Sequence, residues 1–436
     1  MLHEFLGIDY ELRFGNQDVV RISADGNTLE LNDTFFPRAE TDWLGEQTLP
    51  AEPLQQWDLR GSGMEHGLLK PSIPVIFGGA GLHVRHRTAV LELDVFGSAF
   101  FMLSRYEEAV SKQRDKHGRF PAKASLACRE GFLDRPIVDE YVEILWWAMK
   151  RLWPRLKRRR HEYKTVVSCD VDFPYHPSAI SFARMMRATM VNTIRHRRFA
   201  GLSKPLRNYV AGRNGDFRHD PYYFTVDWIM DVNETAGNRV LFNFIPEITN
   251  GAFDGHSSIA EPAVVAMLKR IAARRHEIGV HPGYLAYESE RTTVSAVTRL
   301  RDTMSQAGIK QPLAGGRNHY LRWSTRTPAI WHAAGLQYDS TLSYADRAGF
   351  RCGTCREYSM YDIHARKSLP LKQRPLICMD RSVIDYMGYG FTEEAFAEME
   401  KLKKAAKTVK GNFTLLWHNS YLEDKQARYL YLEITK

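Results

Sequence analysis

The sequence predicts an α/β protein: a mostly parallel sheet, open or closed as a barrel, preceded by a smaller α+β segment. Three observations predict it. From about residue 164, apolar β-branched runs alternate with stretches of helical spacing, the pattern left by successive βα units. Several of those runs end in Asp or His, and α/β proteins bind ligands beyond the carboxyl ends of their strands. A basic, Pro-containing connector, KRLWPRLKRRRH at 150–161, separates this part from what precedes it.

The chain of 436 residues suits two or three domains. We divide it into 1–155 and 162–436. In the first part, Val19–Ile22, Thr28–Leu31, Ile73–Phe77 and Leu91–Leu93 read as strands, and Ala99–Tyr106 and Val138–Trp153 as helices. In the second, strands are expected at Thr165–Cys169, Val240–Ile245, Glu277–Val280 and Thr414–Trp417. Helices are expected at 223–236, Glu261–Arg275, Thr293–Ala307 and Pro328–Ala334. No repeat of fixed period is present.

Apolar residues at 44% and charged residues at 25% describe a folded globular chain. The net charge of +9 favours acidic partners: nucleotide sugars, phospholipid head groups or nucleic acid. No nucleic-acid-binding module is recognisable, so nucleic acid is not expected. No run reaches the ~18 apolar residues of a spanning helix. The start, MLHEFLGIDYELRF, has acidic residues where a secretory leader has basic and apolar ones. Five cysteines make no disulfide framework. These features together predict a cytoplasmic location.

The residues that carry chemistry sit at strand ends: Asp170 and Asp172, His281, His319 and His418. Carboxylate and imidazole ligands suit Zn²⁺ and similar ions. Such an ion polarises an amide carbonyl and lowers the pKa of a bound water to about 7. A nearby carboxylate can then take a proton and an imidazolium can give one. Taken singly, Asp-x-Asp after a strand is more often a turn or cap, and a lone His a packing residue. Recurrence at several strand ends is what favours chemistry.

From about residue 164 onward the chain resembles the NodB-like polysaccharide deacetylases, a family with a distorted (β/α) barrel and five ordered motifs. SCDVDFP (168–174) looks like the first motif, which implies Asp170 as base and Asp172 as metal ligand. RRHEIGVHPGY (274–284) looks like the second, implying His281 as a ligand. GGRNHYLRW (315–323) lies where the third belongs, implying that Arg317 orients the base. YDSTL (338–342) resembles the fourth, implying that Asp339 tunes the catalytic His. LLWHNS (415–420) looks like the fifth, with His418 as general acid. LDVFGSAFFMLSRYEE (93–108), DKHGRF (115–120) and YDSTLSYADRAGFRCGTC (338–355) resemble a subgroup that carries an extra N-terminal domain and belongs to bacterial surface-polysaccharide loci.

One position departs from the family. Where the second motif places another ligand His, this chain has Leu285. His319 is the first candidate to replace it, and His276 the second. Tyr320, Arg322 and Arg351 are candidates for binding an acidic or hydroxyl-rich substrate, and Trp417 and Trp323 for stacking on a sugar, against ordinary salt bridging and core packing. Cys352-Gly353-Thr354-Cys355 lacks the second CxxC of a structural zinc site and reads as a turn with buried thiols. The basic stretch 184–198 reads as a helix over the barrel mouth, with peripheral contact to an anionic membrane as the alternative. Arg105, Glu107 and Glu108 need only capping and internal ion pairs.

The expected function is hydrolytic removal of an N-acyl group, acetyl first, from a sugar in surface-polysaccharide assembly. The expected partner is an acetylated sugar, with nucleotide-linked and lipid-linked forms as the candidates. One divalent ion is expected, zinc before cobalt or nickel. The rivals are a glycan-binding protein with a decayed site and a hydrolase of another C–N bond.

Overall fold

The computed structural model describes residues 1–15, 19–64, 67–196 and 203–436. Six strands precede residue 100: β1 (Val19–Ala24), β2 (Asn27–Asn32), β3 (Gln55–Asp58), β4 (Ser72–Val75), β5 (Gly78–Arg85) and β6 (Thr88–Leu93). Four of them form a sheet in the order β1-β2-β6-β5, and β3 pairs with β4 alone. The helix Ile137–Leu152 packs on β2 and β6. It buries Ile137, Tyr141, Ile144, Leu145 and Ala148, whose spacing follows one helical face.

Nine later strands build one mixed sheet: β7 (Lys164–Val171), β8 (Val240–Phe244), β9 (Glu277–Val280), β10 (Gly315–Gly316), β11 (Tyr338–Asp339), β12 (Tyr358–Asp362), β13 (Lys367–Gln373), β14 (Cys378–Met379) and β15 (Asn412–Leu416). Their order is β12-β13-β11-β10-β9-β8-β7-β15-β14, parallel at every pairing except β12 with β13. Every residue of β8 is buried, as expected of a strand covered on both faces. The helix Pro262–Ala273 packs beside the neighbouring β9 and buries Val264, Met267, Leu268 and Ile271, each contributing roughly 1.5–3 kcal/mol on full burial.

The closed barrel implied by the resemblance is met only in part. No ladder among the described residues joins β14 to β12 or to β11. Isolated backbone bonds span that gap, from Leu376 N to Leu342 O at 3.1 Å and from Gly349 N to Ile377 O at 2.9 Å. Strands β10, β11 and β14 are two residues each, too short for the period-2 pattern by which strands are read from sequence.

The helix expected over Ala99–Tyr106 is broken. It runs Val95–Leu103, and a second starts at Tyr106. Arg105 between them takes a left-handed backbone (φ 57°), which costs roughly 1–2 kcal/mol outside glycine. The reason is a buried ion network. Arg105 donates to Glu107 and Glu108 at 2.8 Å each and to the Arg351 carbonyl at 2.5 Å. Arg351 in turn donates to Glu108 at 2.9 and 2.6 Å and to Ser343 O at 2.6 Å. Arg351, a candidate substrate ligand, is therefore occupied in joining the first part of the chain to the second. The Cys352–Cys355 turn serves the same seam: Val138 N donates to Gly353 O at 2.7 Å and Cys355 N to Asp139 at 2.9 Å.

Of the basic stretch 184–198, residues up to His196 belong to the helix Phe182–His196, and 197–198 lie outside the described residues. Among the described residues, no helix is long and apolar enough to cross a membrane.

Removing Glu108 takes the carboxylate partner from the buried Arg351 and one of two from the buried Arg105. Glu108→Ala is expected to cost about 3–5 kcal/mol of unfolding free energy. Breaking the exposed Lys401–Asp134 pair (2.8 Å) with Lys401→Ala should cost no more than about 1 kcal/mol. Urea denaturation of both variants distinguishes the two.

Candidate metal centre and active site

The chemistry-bearing residues converge because the strands are parallel and neighbouring. Asp170 is in β7 and Asp172 follows it. His281 follows β9, Arg317 and His319 follow β10, and His418 follows β15 by two residues. All lie at carboxyl ends of strands in one sheet.

Asp172, His281 and His319 offer ligand atoms that lie within 4.8 Å of one another. His281 Nε2 is 3.3 Å and His319 Nε2 3.6 Å from Asp172 Oδ1. Each imidazole is turned by its other nitrogen. His281 Nδ1 donates to the Arg317 carbonyl at 2.6 Å, and His319 Nδ1 donates to Asp254 at 2.8 Å. A second hydrogen bond of this kind is what orients ligating histidines. Asp172 Oδ1 is buried with no hydrogen-bond partner among the described residues, an orphaned acceptor facing two imidazoles. Burying such an atom unpaired is costly, and a cation satisfies all three groups at once, so the residues present fit a divalent ion.

Within the cluster the groups set one another's charge. Burial alone would raise the Asp172 carboxyl, but His319, His281 and His418 hold it well below its ordinary value. Burial would lower His319, yet Asp172 and Asp254 hold it up at about 9.

Asp170 is buried beside this cluster, with Oδ2 3.7 Å from His281 Nε2. Its Oδ1 accepts from Arg317 Nη1 at 2.9 Å and from Asn243 at 2.7 Å. Burial pushes its pKa up, and Arg317, His281 and His418 more than reverse this, so it stays ionised. His418 Nε2 lies 3.8 Å from Asp172, and its Nδ1 donates to Asp380 at 2.8 Å. Burial opposes its charge, but Asp380, Asp172 and Asp170 hold its pKa at about 9.

The expectation for Asp339 is corrected here. Its Oδ1 accepts from Thr341 N (2.8 Å) and the Thr341 hydroxyl, and His418 pairs with Asp380 instead. The reason is strand order: Asp380 follows β14, which pairs with the β15 that carries His418, whereas Asp339 ends β11. Burial pushes Asp339 up to about 6. The second ligand candidate, His276, is also set aside. It precedes β9 at the amino end of the sheet, accepts from Val240 N at 3.0 Å and meets Glu234 at 3.2 Å. Leu285 is half exposed and takes no part.

Of the substrate candidates, only Tyr320 reaches the cavity. Arg322 is buried, with Nη1 on Tyr284 O at 2.6 Å and Nε on His117 O at 2.7 Å. Trp417 is fully buried against Tyr431, and Trp323 is buried as well. Cys352 and Cys355 are buried free thiols.

The sequence reading missed Asp254, Asn243, Asp380, His117, Arg119, Arg381 and Tyr386. Asp380 had a visible signal, since PLICMD is an apolar run ending in a carboxylate. Asp254 lies in a loop with no periodicity, and its role exists only through folding. His117, Arg119, Arg381 and Tyr386 line a cavity of ≈ 170 Å³ together with the cluster.

Residues 1–154 match a family of unknown function, DUF7033. No curated protein matches the chain. Among solved structures, the chain is similar to an inferred polysaccharide deacetylase from Mycobacterium smegmatis, at 15% identity and a TM-score of 0.40, over 63% of this chain and 82% of that one. It is also similar to an inferred polysaccharide deacetylase involved in O-antigen biosynthesis from Bordetella bronchiseptica. There the identity is 18% and the TM-score 0.29, over 47% of this chain and 70% of that one.

Asp380→Asn should drop the His418 pKa from about 9 toward the ordinary 6.5, whereas Asp339→Asn should leave it in place. NMR titration of the imidazoles reads both. Because His319 and His418 are raised on folding, their contribution to stability is complete below about pH 6.5 and is lost as pH rises through about 9. Thermal unfolding of metal-free protein across that window should show the decline.

Proposed function

We propose that this protein is a metal-dependent hydrolase that removes an N-acyl group, acetyl first, from a sugar used in bacterial surface-polysaccharide assembly. The observation that carries this reading is the cluster of Asp172, His281 and His319 with an ionised carboxylate on one neighbour and a charged imidazole on another. Asp172, His281 and His319 would hold the ion, zinc before cobalt or nickel. Bound there, it supplies Lewis-acid polarisation of the amide carbonyl and acidifies water.

The chain's own residues do the proton work. Asp170, held ionised by Arg317, accepts the proton of the attacking water. His418, held charged by Asp380, donates its Nε2 proton to the departing amine. Without that proton the amine would have to leave as an anion. Arg317 keeps Asp170 within reach while its other donors are taken by Ser168 Oγ and Ser340 O, both at 3.0 Å. In this reading residues 162–436 form the catalytic unit, a barrel of the NodB type completed at the Leu342–Leu376 seam, and residues 1–155 an accessory unit.

Elemental analysis of purified protein tests the centre. Near-stoichiometric metal in the wild type, lost in both His281→Ala and His319→Ala, is the expected result. A wild type that takes up no zinc, cobalt or nickel would sink the reading. Below about pH 9 metal must displace the His319 proton, so affinity should fall by up to about tenfold per pH unit on acidification. Asp170→Asn should keep its metal and lose about 10²–10⁴ in kcat on N-acetyl sugars.

A further inference from the structure

The cavity over the candidate centre is not closed by residues 162–436 alone. One wall is the turn Asp115-Lys116-His117-Gly118-Arg119, which belongs to the segment matching a family with no known function. Asp115 holds this turn: its Oδ1 accepts from His117 N at 2.8 Å and Arg119 N at 2.9 Å, with Gly118 at φ 74°. Two guanidinium groups then pin it across the seam. Arg119 donates to Asp115 Oδ2 at 2.8 Å and reaches over to Tyr320 O at 3.0 Å. Arg322 reaches back to His117 O, its guanidinium held between the Tyr284 and Tyr287 rings at 4.1 and 3.9 Å from their centroids.

What these bonds position is the His117 ring. Its Nδ1 is taken by Tyr284 OH at 3.0 Å, and the Phe253 and Tyr320 rings flank it at 5.6 and 5.0 Å. With Nδ1 so engaged, Nε2 is the ring nitrogen left for a ligand, and no hydrogen bond to it is formed among the described residues. The ring lines the same cavity as Asp172, His281, His319 and His418. Burial and the Arg119 charge push His117 below its ordinary pKa, which keeps it a neutral imidazole. A neutral ring nitrogen exchanges hydrogen bonds with a hydroxyl, and the half-exposed Tyr386, whose ring lies against the Arg119 guanidinium, lines the same cavity.

We propose that the N-terminal segment completes the substrate site, and that His117 Nε2 binds a hydroxyl of the sugar whose acylamino group lies at the Asp172–His281–His319 cluster. This rests on the reading of the centre as a sugar amide hydrolase. It makes His117 a binding residue and assigns Arg119 and Arg322 to positioning it. The accessory unit then selects substrate.

The test separates binding from turnover. N-acetylglucosamine, N-acetylgalactosamine and their UDP-linked forms are titrated by calorimetry into zinc-loaded Asp170→Asn protein, with and without His117→Ala. In parallel, kcat and KM are measured on the otherwise wild-type chain. At least one sugar should bind, with affinity falling tenfold or more in the His117→Ala background. KM should rise alike while kcat changes less than about threefold and metal content is unchanged. His117→Gln, which keeps a hydrogen-bonding group, should recover part of the loss and covers the case of a misfolded Ala variant. Unchanged affinity and KM, loss of metal in both His117 variants, or no binding of any of the four sugars would overturn the proposal. Binding that depends on His117 without any hydrolysis by the wild type would overturn the hydrolase reading and leave this one standing.

Discussion

Arg317 ties the two halves of the candidate chemistry together, and most of the site depends on it. Its side chain is buried, and each side-chain nitrogen has an acceptor: Asp170, Ser168 Oγ or Ser340 O. Its own carbonyl takes the Nδ1 proton of His281. One residue thus sets the ionisation of the candidate base and the orientation of a candidate metal ligand. A buried guanidinium carries a desolvation penalty of several kcal/mol, which is offset only when its donors are satisfied. Gly315 and Gly316 in front of it make this possible. A Cβ on Gly316 would stand 1.9 Å from Val280 O, so the backbone could not approach β9 closely enough to present Arg317.

The same logic repeats in the Asp–His pairs. His319 with Asp254 and His418 with Asp380 are each buried pairs in which the carboxylate holds the imidazole in one tautomer and orientation. The carboxylates are held by backbone N–H groups: Asp254 by Thr249, Asn250 and Tyr284, and Asp380 by Arg381 and His418 itself. Such preorganisation keeps the site fixed in a low-dielectric setting, where loosely held charges would otherwise be neutralised.

The seam between the first and second parts of the chain carries a buried polar network beside apolar packing such as Phe100 on Tyr361. Arg105, Glu107, Glu108 and Arg351 exchange charge-assisted bonds there, and Arg119 and Arg322 grip main-chain oxygens on opposite sides of it. Buried networks of this kind fail as a whole when one member is removed, which gives one relative placement of the two parts. That placement brings the 115–119 turn to the cavity, so the seam and the site are parts of one construction.

The sequence by itself determined the alternation of strands and helices, the long buried strands β7, β8 and β15, and the location of Asp170, Asp172, His281 and His418 at strand ends. Those readings rest on local periodicity and on short motifs, which survive in one dimension. Tertiary structure alone decided the partners. It paired His418 with Asp380 rather than Asp339 because β14, not β11, lies beside β15. It brought Asp254 from a featureless loop onto His319, and withdrew Arg322, Arg351 and Trp417 from the substrate side by giving them buried partners. Two-residue strands and contacts over 200 positions apart, such as Arg119 with Tyr320, leave no periodic trace in the sequence, because what fixes them is the register of a sheet and not the chemistry of neighbouring residues.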